Sequence, residues 1–422
     1  MQTSEIDPAL PRPRLAVVVS HPIQYYAPYY RAIAAEGSVE IKAFFCSRFG
    51  IDNMIDPGMG VEIAWKADLL GGYDHEFLPE APDIKGFAFR EMDNPSITAR
   101  LSEYNPDVVL IHGYAQGTLA RTIRWCRREG VPLLNISDRS FSGLSTPLRR
   151  IARRLILPLI LKQYAAFLVI GDSIHRFYRS FGAREEQVFR VPIMLDEGFW
   201  ALRDRKEEAR QRIRGELGLS DEFVVLYVGK LIPRKRPQDL LAALELIREP
   251  QDSAGHKVRV LLAGNGEMLS SLEERARALD LPVTFLGFVN IDELPKYYCA
   301  ADALAHPAEN ESYGIIALEA AAFGLPLILS DKVGAVGPTS IARPDINTLV
   351  HRAGDSRGLA DVIVRLAEDE ELRRQLGEAS TALAADHEGP LSVRNTIEAI
   401  RYALKSRKGS RTRHKSRNGQ PA

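Results

Sequence analysis

The chain has 422 residues, no net formal charge, 45% apolar and 26% charged residues, which fits a globular protein of two or three domains and gives no pointer to nucleic acid. Cys46, Cys126 and Cys299 show neither paired nor metal-ligand spacing and read as small buried groups of a reducing compartment. No apolar run approaches the roughly 20 residues of a membrane span, and MQTSEIDPALPRPR has no signal-peptide core, so the cytoplasm is the expected location.

Leu15–Val19 (LAVVV) is a β-branched run followed by turn residues, which predicts a buried parallel strand. A helix ending at Gly37, a strand over VEIKAFFC and a strand over Asp107–Ile111 closing at His112-Gly113 follow. Then come a helix over Leu119–Glu129 stopped by Gly130, and strands over VPLLNIS and Phe167–Ile170. This is the doubly wound α/β pattern. It restarts beyond Trp200 with a charged helix (204–217). After it FVVLYVG, PQDLLAALELI, VRVLLAG, MLSSLEERARAL, VTFLG, ELPKYYCAA, ALAHP, IIALEAAAFG and PLILS alternate strand and helix. The expected organisation is a disordered tail (1–13), a first Rossmann-like domain (14–198), a second (199–385), a helix crossing back to the first (386–405) and a disordered basic tail (406–422). VPIMLDEGFW (191–200) is the expected hinge.

Four stretches of the second half carry chemistry. In VGKLIPRKRP a strand ends at Gly229, where glycine admits a ligand close to the backbone. Lys230 and Lys235 place two ammonium groups at its mouth, which suits a diphosphate, although charged loops after strands are common without a ligand. In LLAGNGEMLSSL, Gly264 and Gly266 make a strand-to-helix turn that serves structure as readily as phosphate. FLGFV sets the backbone of Gly287, Phe288 and Val289 to read a base edge or simply to close a strand end. In ENESYGIIALEAAAFGLP, Glu311 and Glu319 are separated by seven residues. Ser312, Tyr313 and Gly314 open a helix whose free N–H groups form an anion site. Glu319 stands among Leu318, Ala320 and Ala321; Glu ordinarily faces solvent, and once buried it needs partners such as the two hydroxyls of a ribose.

In this order and spacing, G-K-L-x-x-x-K, A-G-N-G-x-x-x-x-L, E-x7-E and A-x-G-L-P resemble the retaining glycosyltransferases of family GT4. Those have the GT-B fold, two Rossmann-like doubly wound parallel-sheet domains facing across a cleft. The resemblance covers nearly the whole chain and is densest from Val228 to Asp355. It implies that Lys230 and Lys235 hold the diphosphate of a nucleotide sugar and that Glu319 binds the ribose. Glu311 with the backbone of Ser312, Tyr313, Gly314 and Ile315 would hold the donor sugar and distal phosphate; Gly287, Phe288 and Val289 would border the base, with Gly264 also on the donor side. The family usually has Arg at Lys230, so the bidentate fork is lost here.

In the first half SHPIQYYAPYYRAIA, DPGMGVEIAW and LLGGY resemble a bacterial subgroup of the same family, with His21-Pro22 where many members carry paired glycines. That domain is expected to face the acceptor, which makes Asp56, Gly58, Gly60 and Trp65 either acceptor-side residues or an ordered surface loop. After VPLLNIS many members have His; this chain has Asp138-Arg139, and Asp138 is the expected acceptor-side polar residue, with His112 read as structural. The implied reaction is retaining transfer from a nucleotide-diphosphate sugar to a hydroxyl of a glycan or lipid-linked glycan, in polysaccharide biosynthesis. Glu311, Lys235 and Asp138 are its expected catalytic residues, and the leaving phosphate serves as base. The chain has no Asp-x-Asp and no His or Cys cluster, so neither metal nor cofactor is expected. A sugar-nucleotide epimerase of the same fold and a non-catalytic sugar-nucleotide-binding protein are the competing readings. Finally, residues 148–162 (LRRIARRLILPLILK) set Arg149, Arg150, Arg153 and Arg154 on one side of a helix and Leu148, Ile151, Leu155 and Leu159 on another. With the basic tail from Lys405, this predicts peripheral contact with an anionic inner leaflet, unless the apolar face packs on protein. Pro158 predicts a kink or an early end.

Overall fold

The computed structural model describes residues 12–417 except 53, 56–61, 64–66, 85, 138–146, 204, 248–256 and 388. The first half supplies β1 (Arg14–Val19), β2 (Glu40–Phe45), β3 (Met54–Ile55), β4 (Glu62–Ile63), β5 (Asp74–Phe77), β6 (Val108–His112), β7 (Leu133–Ile136), β8 (Ala166–Val169) and β9 (Val188–Arg190). The second supplies β10 (Phe223–Val228), β11 (Val258–Ala263), β12 (Val283–Gly287), β13 (Ala303–His306), β14 (Leu327–Ser330) and β15 (Thr348–His351). They form two parallel sheets, ordered β5-β2-β1-β6-β7-β8-β9 and β12-β11-β10-β13-β14-β15, plus the antiparallel pair β3-β4.

Helices cover both faces of each sheet, so the central strands must be apolar throughout. All six residues of β10 are buried, as are five of six in β1. Between them the helices end where a left-handed residue is needed, at Gly37 (φ 79°) and Gly130 (φ 63°). In each sheet the winding reverses beside the first strand: between β1 and β6 in one, and between β10 and β13 in the other. Crevices open outside the carboxyl ends of strands at such points.

The two halves touch at one dense polar contact. Asp172 opens the helix Asp172–Ser180 just past β8. Its carboxylate accepts from the Thr339 N–H (2.8 Å) and from the hydroxyls of Thr339 (2.5 Å) and Ser340 (3.1 Å), while its own N–H donates to Ser340 Oγ (2.9 Å). Arg190 lies 3.5 Å from the same carboxylate. Burial opposes ionisation of Asp172, but these hydrogen bonds and Arg190 prevail and hold its carboxyl below the usual range. The stabilisation is therefore present above the unfolded carboxyl value and is lost as pH falls through the lowered one. Asp172→Ala should cost about 2 kcal/mol in urea denaturation at pH 7 and enlarge the scattering radius. An unchanged midpoint with an unchanged radius would refute this latch.

The segment expected to be a hinge is itself tied down. Ser392 Oγ donates to the Pro192 carbonyl (2.6 Å), and His387 Nδ1 bonds that of Ile193 (2.9 Å). These contacts lead into the helix Pro390–Arg417, which lies across β7, β8 and β9 and puts Val393, Ile397, Ala399, Ile400 and Ala403 into the outer core of the first sheet. The helix runs on to Arg417, into the stretch expected to be disordered. Its first turns are anchored by packing, and no proline interrupts the sequence between Pro390 and Pro421.

Candidate active site

At the carboxyl ends of β10 and β13 three ionisable side chains meet. Pro233–Lys235 form a 3-10 turn after β10, closed by Arg236 in the left-handed region at φ 53°. Lys235 is buried, and its ammonium touches the Glu311 carboxylate. Glu311 also bonds Nε2 of His306, the last residue of β13, at 3.1 Å. Burial, reinforced by Lys235 and Arg234, pulls His306 well below its ordinary range and keeps it neutral. A carboxylate only accepts, so Nε2 carries the proton. Nδ1 is then a buried acceptor without a partner. Burial, with the cations Arg234 and Lys230 nearby, lowers the Lys235 ammonium to about 7; the Glu311 carboxylate opposes that, as a bound diphosphate would.

The glycines set the shape of this crevice. A Cβ on Gly264 would lie 1.9 Å from the Gly229 carbonyl oxygen, and one on Gly266 2.4 Å from that of Leu231. These two residues let the loops after β10 and β11 lie against each other, a packing role first. Gly287 ends β12 at φ 66°, and its carbonyl accepts the Gly264 N–H at 2.7 Å. Phe288 follows it, and Val289 packs against the core. The Lys230 carbonyl accepts from the Tyr227 hydroxyl at 3.0 Å, which fixes the backbone that carries the lysine.

The Glu311 loop is stitched to the next one: Gly334 N–H donates to the Glu311 carbonyl (3.0 Å) and Ala335 N–H to that of Tyr313 (2.7 Å). Gly314 at φ 91° then opens the helix Ile315–Ala322 with its free N–H groups beside Glu311 and Ser312. The Tyr313 ring packs on Gly171 of the first half, where a Cβ would lie 3.2 Å from Tyr313 Cε2. Glu319 is 4% exposed in a helix buried from Ile316 to Ala322. One of its oxygens accepts from the Tyr298 hydroxyl at 2.6 Å. Burial raises its carboxyl to about 7, against the pull of that hydrogen bond.

The fold thus gathers Lys235 and Glu311 with Ser312, Gly314 and Ile315 at one helix end, and seats Glu319 one turn further in. Asp138 and Arg139, like Asp56, Gly58, Gly60 and Trp65, lie outside the described residues. Sequence reasoning missed His306, hidden in a strand that reads as apolar; its one signal was a histidine at a strand's carboxyl end five residues before Glu311. It also missed Tyr298, which no spacing rule links to Glu319. Among the described residues no group of three or more His, Cys, Asp or Glu side chains is placed to hold a metal ion. A cationic loop, a helix N-terminus and the half-buried carboxylate of Glu311 at one crevice, with the buried Glu319 one turn further in, suit an anionic ligand with hydroxyl groups.

Residues 209–382 match the family described as Glycosyl transferases group 1. A D-inositol 3-phosphate glycosyltransferase of Corynebacterium efficiens is 36% identical over 41% of this chain and 41% of its own length. One from Saccharomonospora viridis is 32% identical over 69% of this chain and 68% of its own. The chain spans about half the length of the curated relatives it matches first. In fold it is similar to Anabaena Alr3699/HepE, solved in complex with UDP-glucose, with a TM-score of 0.65 at 17% identity over 93% of this chain and all of the other.

Proposed function

Since this chain belongs to the group 1 glycosyl transferases, we propose that it moves a glycosyl group from a nucleotide-diphosphate sugar to a hydroxyl of a glycan or lipid-linked glycan, with retention and without a metal ion. The observation that carries this reading is the meeting of Lys235, Glu311 and His306 at the mouth of β10 and β13, beside a helix N-terminus. Lys235 and Lys230 face the diphosphate, and the N–H groups from Ser312 to Ile315 take its distal oxygens. Glu311 holds a hydroxyl of the donor sugar, Glu319 accepts from the ribose, and the loop Gly287–Val289 borders the base. As the bond from the anomeric carbon to the diphosphate breaks, lysine and helix end stabilise the charge that develops on the leaving oxygen. The acceptor oxygen bonds the same carbon on the same face, and its proton passes to the leaving phosphate. Asp138 remains the proposed polar residue on the acceptor side. The test is to follow product by NMR with and without EDTA. The same anomeric configuration in donor and product, at an undiminished rate in chelator, is the expected result. Inversion, or a strict requirement for a divalent cation, would overturn the mechanism.

Contact with a membrane surface is the second part of the proposal. The helix Pro147–Leu161 runs unbroken through Pro158. Leu157 and Leu161 are in the core, while Leu155, Ile156 and Leu159 are 68%, 54% and 62% exposed. Three large apolar side chains in water beside the exposed Arg154 suit a lipid interface rather than a protein interior. No helix among the described residues is long and apolar enough to cross a membrane. Leu155→Ser/Ile156→Ser/Leu159→Ser should abolish co-sedimentation with anionic vesicles and leave the melting temperature unchanged. Equal sedimentation of wild type and variant would remove the membrane from the account.

A further inference from the structure

His306 ends β13 after Ala303, Leu304 and Ala305, and all four residues are buried. A strand covered on both faces is built most stably from apolar side chains. An imidazole in that row costs stability, because its Nδ1 is a buried acceptor without a partner among the described residues. Its ring stacks at 5.8 Å on the buried Tyr227 of β10, a surface that an aliphatic side chain would also cover. What histidine adds is one directed hydrogen bond, from Nε2–H to Glu311 Oε2 at 3.1 Å. Lys235 Nζ touches that same oxygen, and Oε1 accepts from neither.

The two partners of Oε2 differ in how firmly they are placed. Lys235 carries its ammonium on a flexible stem, and a bound diphosphate draws that charge toward itself. The imidazole instead stands on a strand whose backbone is paired in register with β14, His306 beside Leu329. The ring is also neutral, so it holds Oε2 without cancelling the charge with which the carboxylate accepts from a hydroxyl. We propose that His306 is a positioning residue of the donor-sugar site: its Nε2–H keeps Glu311 in place when Lys235 turns to the diphosphate, and so leaves Oε1 aimed at a hydroxyl of the sugar. The proposal rests on the donor reading above and adds to it the group on which Glu311 depends.

The test is calorimetry on the full chain with matched compounds: UDP with UDP-glucose, UDP-galactose and UDP-N-acetylglucosamine, GDP with GDP-mannose, and ADP with ADP-glucose. The readout is the ratio between the dissociation constants of a sugar nucleotide that wild type binds and of its nucleoside diphosphate. His306→Leu fills the space without the N–H. It should shift that ratio about tenfold against the sugar nucleotide, while the nucleoside diphosphate binds as before. Its melting temperature should equal or exceed that of wild type, because the unpartnered Nδ1 is gone. His306→Gln, whose amide N–H reaches the place of Nε2–H, should restore most of the ratio. In a Glu311→Ala background the change at 306 should no longer move it. His306→Ala takes the place of His306→Leu should leucine fail to fold. Four results would each overturn the positioning role and leave the nucleotide site standing. These are an unchanged ratio, a glutamine no better than leucine, a shift that persists without Glu311, and a wild type that binds nucleoside diphosphate but no sugar nucleotide. A wild type that binds none of these compounds would remove the donor reading, and the positioning role with it.

Discussion

Replacing Lys235 with alanine should weaken nucleotide-sugar binding by one to two powers of ten, since a charge-assisted hydrogen bond to phosphate contributes about 1.5–3 kcal/mol. The lysine also serves the empty protein, because its ammonium touches Glu311 in a buried setting. Alanine there leaves a carboxylate whose remaining partner is a neutral histidine, and an orphaned buried charge is costly. Lys235→Ala should therefore lower the melting temperature as well as the affinity, and the two effects separate in the double variant Lys235→Ala/Glu311→Gln. Neutralising Glu311 should restore most of the stability and none of the nucleotide affinity. Calorimetry with whichever nucleotide sugar the wild type binds, alongside thermal melting, reads both. Affinity for the nucleotide unchanged in Lys235→Ala would sink the phosphate assignment.

Glu319→Gln should separate function from stability in the opposite sense. Its carboxyl is raised by burial from 4.5 to about 7, so the folded protein holds a proton there that the unfolded chain releases. Stability contributed by this group falls as pH rises through that window and stays low above it. The cost above pH 7 is roughly 3 kcal/mol. Glutamine carries no such penalty and still accepts from Tyr298. The variant should be more stable than wild type at pH 8 and nearly equal to it at pH 4.5. Turnover should nevertheless fall about a hundredfold, because a neutral amide accepts weakly from two ribose hydroxyls. A variant that is as active as wild type would make Glu319 a structural residue alone.

The central strands were legible because burial on both faces leaves a continuous apolar run, as in β1 and β10. The edges were not. β5 reads DHEF and is largely half-exposed, and β9 is half-buried along its three residues, so neither shows the run that marks an interior strand. In the candidate site, Glu319 was legible as an acid set in an apolar helix. Lys235 and Glu311 were legible from their motifs, although nothing in the sequence says that they touch. Asp172 was invisible for another reason. Its partners Thr339 and Ser340 are 167 and 168 residues away, and only the folded chain brings an ordinary helix-opening aspartate against them. The glycines at 264 and 266 were seen but their cause was not: backbone of a neighbouring loop occupies the space where a side chain would go.

The helix Pro390–Arg417 also bears on how this protein is made. It completes the outer core of the first sheet, and the Tyr29 hydroxyl meets Thr396 at 2.6 Å across 367 residues of sequence. A ribosome therefore releases the first sheet long before the piece that covers it exists. Every strand of the second sheet has been synthesised by His351. The half that is made first is thus the half that is finished last, and through much of translation Leu110, Leu134 and Leu168 lack their final cover. For that interval the nascent chain offers an apolar face to chaperones, and a message cut short before codon 390 yields a protein whose second half is nearly whole and whose first half cannot close.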